Sequence, residues 1–316
     1  MTKYSSWEEI VRSFPSTPFL FIGSGLSRRY LNLPNWDGLL SEFSRRISSD
    51  PLKFQELKLK SQQNNELIGS ILEKEFNDLW FSDKSFRTNN DFILNHVYRG
   101  VSPFKAEVAF YIKNNFSINN DYLEEIEILK SVTENNISGI ITTNYDDLPE
   151  IITRNYKTYQ SQDELITSSP QNIGEIFKIH GSIEDPKTIV ITQSDYADFD
   201  RKSQYLAAKL LTIFMEYPII FIGYSISDSN IRKILTSIVE CFSDKRNELD
   251  FFEKRLFLIQ HSTGKNKDKI QVSKHSIDIS GTLIPLTRID TDNFKELFSA
   301  LKYKKNRISS STITIP

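Results

Sequence analysis

A polar segment that follows a short apolar one holds the residues best suited to chemistry. The β-branched pair at 140–141 has the composition of a buried strand, and the sequence Thr-Thr-Asn-Tyr-Asp-Asp follows at 142–147. In an open α/β sheet such a change marks the carboxyl end of a strand, where ligands bind. The amide of Asn144 can hold a water molecule or a hydroxyl group. Asp146 or Asp147 can cap a helix that starts at Leu148, but capping does not explain Thr-Thr-Asn.

A histidine ends a second apolar segment. Residues 176, 177 and 179 are apolar, and His180 follows with Gly181 beside it. A histidine at a strand end can act as a general base, and the glycine leaves room for a ligand. A histidine that only belongs to a turn fits the position equally well. His96 lies within an apolar segment and is interpreted as a core residue.

Two glycine-containing turns follow two further apolar runs. The run at 18–22 leads into Gly-Ser-Gly at 23–25, and the run at 218–222 leads into Gly-Tyr-Ser at 223–225. A strand, a glycine turn and a helix together direct backbone N–H groups at a phosphate. The first turn is not the dinucleotide fingerprint, because Arg28 takes the third glycine position, and no Walker lysine follows. A purely structural turn is the alternative.

The elements that must position these residues alternate between strand and helix, which predicts an α/β fold. Further strands are expected at 188–192 and 255–259, with an edge strand at 283–286. Helical patterns fill 45–135, which we interpret as a helical insertion between the first and second core strands. We expect one domain over 1–303, with 304–316 as a tail or linker that could lead into a longer protein.

The four polar strand ends are expected to meet. In a parallel sheet the carboxyl ends of the strands share one edge, so the residues after 22, 141, 179 and 222 would converge on one face. Purely structural turns have no reason to share this pattern. The sequence therefore predicts one ligand site built from four loops.

Composition narrows the class of protein. A net charge of −2 over 316 residues gives no support for non-specific nucleic-acid binding. One cysteine, Cys241, allows neither an internal disulfide nor a Cys-x-x-Cys zinc site. No signal peptide and no apolar run near the ~20 residues of a membrane span are visible. We expect a cytoplasmic protein that does not bind membranes.

Four motifs, taken in their order along the chain, resemble the sirtuin-like domain over roughly residues 15–300. They are Gly-Ser-Gly-Leu-Ser, Thr-Thr-Asn-Tyr-Asp, His-Gly and Gly-Tyr-Ser. They most resemble the bacterial branch found in antiphage defence, which includes the Thoeris effector, the defence-associated sirtuins, and sirtuin-like proteins that act with short Argonautes or HerA-type ATPases. The resemblance implies a Rossmann-like NAD-binding fold. It also implies hydrolysis of NAD+ rather than protein deacetylation.

The resemblance also implies residue roles. It makes Asn144 and His180 the catalytic pair, and Asp146 the residue that orients either the nicotinamide or Asn144. The residues expected to contact NAD+ are Gly23, Ser24, Gly25, Ser27, Thr143, Asp146, Gly223, Tyr224 and Ser225. No metal is expected.

Two departures argue against deacetylation. Sirtuin deacetylases carry a four-cysteine zinc module, which one cysteine cannot supply. They also carry a Gly-Ile-Pro-Asp-Phe-Arg segment, where this chain has Leu-Asn-Leu-Pro-Asn-Trp at 31–36.

The resemblance further implies NAD+ depletion in abortive infection. It also implies a homo-oligomer, or a complex with a defence-system partner or an activating phage component. A non-catalytic NAD or ADP-ribose sensor is the main alternative, and an NAD-dependent deacylase is a weaker one.

Overall fold

The structure, a computed structural model, describes residues 6–167, 173–226, 229–240, 251–263, 268–279 and 281–304. Within them one eight-stranded sheet runs in the order β3-β4-β2-β1-β5-β6-β8-β7. Its strands are β1 (Phe19–Ile22), β2 (Gly139–Thr142), β3 (Lys157–Tyr159), β4 (Glu175–Lys178), β5 (Ile219–Ile222), β6 (Leu256–His261), β7 (Gln271–Ile279) and β8 (Thr282–Thr291). All neighbouring pairs are parallel except the antiparallel pair β7–β8. The predicted Rossmann-like α/β class is confirmed.

The central strands are apolar on both faces because helices cover both faces of the sheet. Leu20 and Ile22 of β1 belong to one core cluster, whereas Phe19 and Phe21 belong to the other. This alternation is the two-residue period of a strand. It explains why the strand sequences read as continuous apolar runs.

Helices flank the sheet. They are α1 (Trp7–Ser13), α2 (Ser24–Leu31), α3 (Trp36–Ile47), α4 (Lys53–Lys60), α5 (Asn65–Ser82), α6 (Asp91–Tyr98), α7 (Pro103–Asn115), α8 (Leu123–Thr133), α9 (Leu148–Ile152), α10 (Gln162–Thr167), α11 (Gln193–Glu216), α12 (Ser229–Glu240) and α13 (Phe294–Leu301). Short 3₁₀ turns lie at Asn120–Tyr122 and Pro186–Thr188. The helices α2 to α8 separate β1 from β2, and α4 to α8 fall within the predicted insertion. The domain limits remain a prediction, and residues 305–316 of the predicted tail lie outside the described residues.

The strand predicted at 188–192 is wrong. The 3₁₀ turn ends at Thr188, and Thr192 is already the N-cap of α11, where its side chain forms a capping box with Asp195. Ile189, Val190 and Ile191 are buried in the core without joining the sheet. A β-branched composition therefore reflected burial rather than strand pairing.

The edge of the sheet also differs from the prediction. The segment 283–286 belongs to β8, which lies inside the sheet between β6 and β7. Pro285 is tolerated because pairing with β6 begins only at Thr287. The true edge strands, β3 and β7, are rich in polar residues, and their sequences carry no apolar run that predicts a strand.

Candidate active site

A cavity of about 1050 Å³ opens at the carboxyl ends of the parallel strands. The turns that follow β1, β2, β4 and β5 contribute to it, together with the carboxyl end of β6, as expected for a doubly wound sheet. Ten of the eleven predicted site residues line it: Ser24, Gly25, Ser27, Thr143, Asn144, Asp146, His180, Gly223, Tyr224 and Ser225. Gly23 is buried and is not among the lining residues. The structure thus brings the four loops together, while the role of each residue remains a prediction.

Asn144 is held by a chain of hydrogen bonds that begins at the sheet. The Thr142 hydroxyl donates to the Ile22 carbonyl at 2.8 Å and accepts the Asn144 N–H at 3.0 Å. The Asn144 side chain then donates from Nδ2 to the Ser27 Oγ at 2.9 Å. Asn144 is 8% exposed. Its amide is therefore fixed between the turn after β2 and the start of α2.

Asp146, rather than Asp147, makes the helix-start contact. Its Oδ1 accepts the Leu148 N–H at 3.0 Å, while the carboxylate of Asp147 binds Lys178 and makes no capping bond. Asp146 is 5% exposed. Burial raises the pKa of its carboxyl group above the ordinary value, although hydrogen bonds from Leu148 and Ser27 act in the opposite direction.

The raised pKa of Asp146 predicts that Asp146→Asn increases the stability of the folded protein, by an amount that depends on pH. The folded protein binds the Asp146 proton more tightly than the unfolded chain does. The contribution of Asp146 to wild-type stability is therefore fully present below about pH 4 and is lost as pH rises through the raised pKa. Asparagine keeps an acceptor for Leu148 and carries no charge. We expect the variant to have the higher free energy of unfolding at pH 7, with the difference shrinking towards pH 4. Urea unfolding at several pH values tests this, and a pH-independent difference would contradict it.

His180 lies in an aromatic pocket at the end of β4. It is 3% exposed, and its ring packs edge-on against Tyr196 and Phe199, with centroids 5.4 and 5.2 Å away. Its carbonyl accepts the Val190 N–H at 3.0 Å. The ring is thus held on two sides, and the residue faces the same cavity as Asn144.

Gly181 is required by the turn that carries His180. Its φ is +90°, and an added Cβ would lie 2.2 Å from the Thr188 carbonyl oxygen. Gly100 has a similar φ of +82° with nothing within 4 Å of the added atom, so it serves as a matched control. We expect Gly100→Ala to cost about 1 kcal/mol from its backbone conformation alone.

Gly181→Ala is expected to cost more than about 3 kcal/mol, because the steric clash adds to the backbone strain. Chemical denaturation of the two variants measures the difference between them. Equal losses of stability would show that the turn can relax around the methyl group.

The two glycine turns pack on each other. The Gly25 N–H donates to the Gly223 carbonyl at 2.9 Å, and a Cβ on Gly223, whose φ is +64°, would lie 2.3 Å from the Leu26 nitrogen. A Cβ on Gly23 would lie 2.4 Å from the Gly223 oxygen. These glycines therefore allow close backbone approach, and the Gly25 N–H contacts protein rather than facing a ligand.

The cavity lining includes aromatic residues that were not identified as site residues from the sequence, and two of them stack on each other. Trp36 and Tyr196 stack with centroids 5.9 Å apart and an interplanar angle of 12°, and both line the cavity near His180. In the sequence each one fits the apolar stripe of its helix, so no local signal separates them from core residues. Arg28, which is exposed, and His261, the last residue of β6, also line the cavity.

Sequence comparison finds a family and relatives that are consistent with this fold and cavity. Residues 138–279 match the SIR2-like domain family. The chain is 27% identical over 224 residues to NAD(+) hydrolase ThsA of Enterococcus faecium, covering 65% of this chain and 44% of that protein. It is 25% identical over 240 residues to NAD(+) hydrolase ThsA of Cytobacillus dafuensis, covering 74% of this chain and 41% of that protein.

The chain is also similar to a defence-associated sirtuin. Defense-associated sirtuin 2 of Bacillus subtilis is 22% identical over 199 residues, covering 60% of this chain and 18% of that protein. The chain thus spans less than half the length of these relatives. The resemblance to the sirtuin-like branch of antiphage defence is confirmed.

The described residues contain neither a metal-binding cluster nor a membrane-spanning helix. No group of three or more His, Cys, Asp or Glu side chains placed to hold a metal ion occurs among them. No helix in the described part of the chain is long and apolar enough to cross a membrane.

Proposed function

We propose that this chain hydrolyses NAD+ at the bond between nicotinamide and ribose. The observation that supports this most is the meeting of Asn144 and His180 with both glycine turns in one cavity of a SIR2-like fold. Relatives that match most of this chain are named NAD(+) hydrolases. NAD+ is a substrate in this proposal, and no metal takes part.

The reaction requires little acid catalysis. The C1′–N bond breaks with its electron pair going to the nicotinamide ring, which loses its pyridinium charge and leaves neutral. Water then forms a bond to C1′ and loses a proton, so the products are nicotinamide, ADP-ribose and H⁺. The demanding steps are stabilising an oxocarbenium-like transition state and positioning the water, and acid–base help of this kind is typically worth ~10²–10⁴-fold.

The residues of the cavity are assigned to these tasks. Asn144, fixed by Ser27, holds the water or a ribose hydroxyl through its amide. His180 accepts a proton from that hydroxyl or water. Ser24 and the start of α2 meet the pyrophosphate, because the Gly25 N–H is already bonded to Gly223. Gly223 and Ser225 contact the adenosine ribose or phosphates.

The same proposal covers the cellular setting. We place the protein in the bacterial cytoplasm, where NAD+ depletion would end phage growth together with the infected cell. A toxic hydrolase has to be restrained, so activity is expected to depend on a homo-oligomer, a defence-system partner protein or an activating phage component. No direct contact with nucleic acid or membrane is proposed.

The test follows NAD+ and its products. Purified protein is incubated with NAD+ over a range of protein concentrations, and nicotinamide, ADP-ribose and cyclic ADP-ribose are separated. We expect nicotinamide and ADP-ribose in equal amounts, with a rate that rises more steeply than protein concentration if an oligomer is the active form. Turnover that requires an acyl-lysine peptide would overturn the proposal in favour of a deacylase.

A further inference from the structure

Lys178 is a buried cation beside the cavity. Its side chain is 0% exposed at the end of β4, although lysine is almost never fully buried unless it is paired. Its Nζ lies 3.1 Å from Asp147 Oδ1 and 3.0 Å from Glu150 Oε1. The Ser182 hydroxyl lies 3.5 Å away. Neither Lys178 nor its two carboxylate partners line the cavity.

The positions of these partners in the chain relate Lys178 to both Asn144 and His180. Lys178 precedes His180 by two residues, and Asp147 follows Asn144 by three residues. Glu150 lies in α9, directly after the Asn144 loop. One side chain therefore connects the loop that carries Asn144 to the turn that carries His180.

Two further hydrogen bonds join the same two segments, and a third joins the Asn144 loop to Val190, whose N–H is bonded to the His180 carbonyl. The Ile179 N–H donates to the Thr142 carbonyl at 3.0 Å, and the Ile183 N–H donates to the Tyr145 carbonyl at 3.1 Å. The Tyr145 hydroxyl donates to the Val190 carbonyl at 2.6 Å. Because charged contacts are stronger in a low-dielectric interior, the Lys178 ion pairs complete a rigid connection between the segments.

We propose that Lys178 is a positioning residue that holds Asn144 and His180 at their working separation. The proposal rests on the hydrolase function proposed above. Lys178 touches no substrate, and its effect passes through the β2–α9 loop and the turn after β4. The glycine turns after β1 and β5 lie outside this connection, so nucleotide binding should not depend on it.

The test must separate positioning from simple charge compensation. Lys178→Met alone leaves two half-buried carboxylates without a cation, and it can fail to fold. The variant Lys178→Met/Asp147→Asn/Glu150→Gln removes all three charges together, so no carboxylate is left uncompensated. We expect this triple variant to fold and to bind ADP-ribose like the wild type. We expect its NAD+ turnover per ADP-ribose-binding site to fall by about 10²-fold, as for a small misplacement of catalytic groups.

A role in charge compensation alone predicts the opposite result. The triple variant would then recover wild-type turnover, and that outcome would overturn the proposal. Because turnover is counted per ADP-ribose-binding site, a loss of folded protein cannot imitate a loss of positioning.

A second readout does not require turnover. The imidazole resonances of His180 are identified by NMR from their absence in His180→Ala, and those of His96 serve as an internal reference in α6. We expect the triple variant to shift the His180 resonances and leave those of His96 in place. Unchanged His180 resonances would overturn the positioning role. If the wild type does not consume NAD+, the proposed function fails, while this measurement still decides the role of Lys178.

Discussion

Replacing Asn144 by alanine is expected to lower NAD+ hydrolysis by about 10²–10³-fold, the usual cost of removing one preorganised polar group from an active site. The Asn144 amide is fixed by the Ser27 hydroxyl at 2.9 Å, so the proposed contact with the reacting ribose or water would require no reorganisation. The variant also loses one buried hydrogen bond, worth about 1 kcal/mol of stability. Steady-state kinetics at equal concentrations of folded protein measure the effect on turnover.

The matched control is Asn114→Ala. Asn114 is exposed on α7, and its side chain donates to the Phe110 carbonyl of its own helix. This variant should keep wild-type turnover. If Asn144→Ala also keeps it, Asn144 has no part in catalysis and belongs only to the structure of the turn.

Replacing His180 is expected to lower turnover by about 10²–10⁴-fold through the loss of proton transfer. Alanine also removes the edge contacts with Tyr196 and Phe199, so His180→Gln, which retains a polar side chain of similar size, is measured beside it. Both variants should be equally inactive. Full activity in His180→Gln would show that the residue supports packing or hydrogen bonding rather than proton transfer.

His96→Ala is the control for a histidine lost elsewhere. His96 packs against Phe92 within α6, at a centroid distance of 4.6 Å, and does not line the cavity. Its removal should leave turnover unchanged. If Asn144 and His180 act on one reaction centre, as proposed, the double variant should be little worse than the poorer single variant.

The sequence predicted the strands that are both buried in the core and paired with neighbouring strands. The strands β1 and β5 are buried on both faces, so they appear as continuous apolar runs that end in polar or glycine turns. The segment 189–191 is equally apolar and is buried without pairing, so the same pattern predicted a strand that does not exist. Edge strand β7 pairs without being fully buried, so its sequence gives no such signal.

The residues of the candidate site also differ in whether the sequence alone could locate them. Strand ends are local features, so Asn144 and His180 could be located in the sequence before any contact was known. The Trp36–Tyr196 stack joins residues 160 positions apart, which no local pattern can show. Lys178 occurs inside the apolar sequence Ile-Phe-Lys-Ile, and only the fold brings it to Asp147 and Glu150. The packing role of Gly25 likewise depends on Gly223, which lies in a distant turn.

The central claim is that NAD+ is cleaved between Asn144 and His180. The most direct measurement follows NAD+ loss and nicotinamide release for the wild type, Asn144→Ala and His180→Ala at equal concentrations of folded protein. The wild type should release one nicotinamide for each NAD+ consumed, and both variants should lose this activity while still binding ADP-ribose. Cleavage that survives in both variants, or a wild type that binds NAD+ and leaves it intact, would contradict the claim.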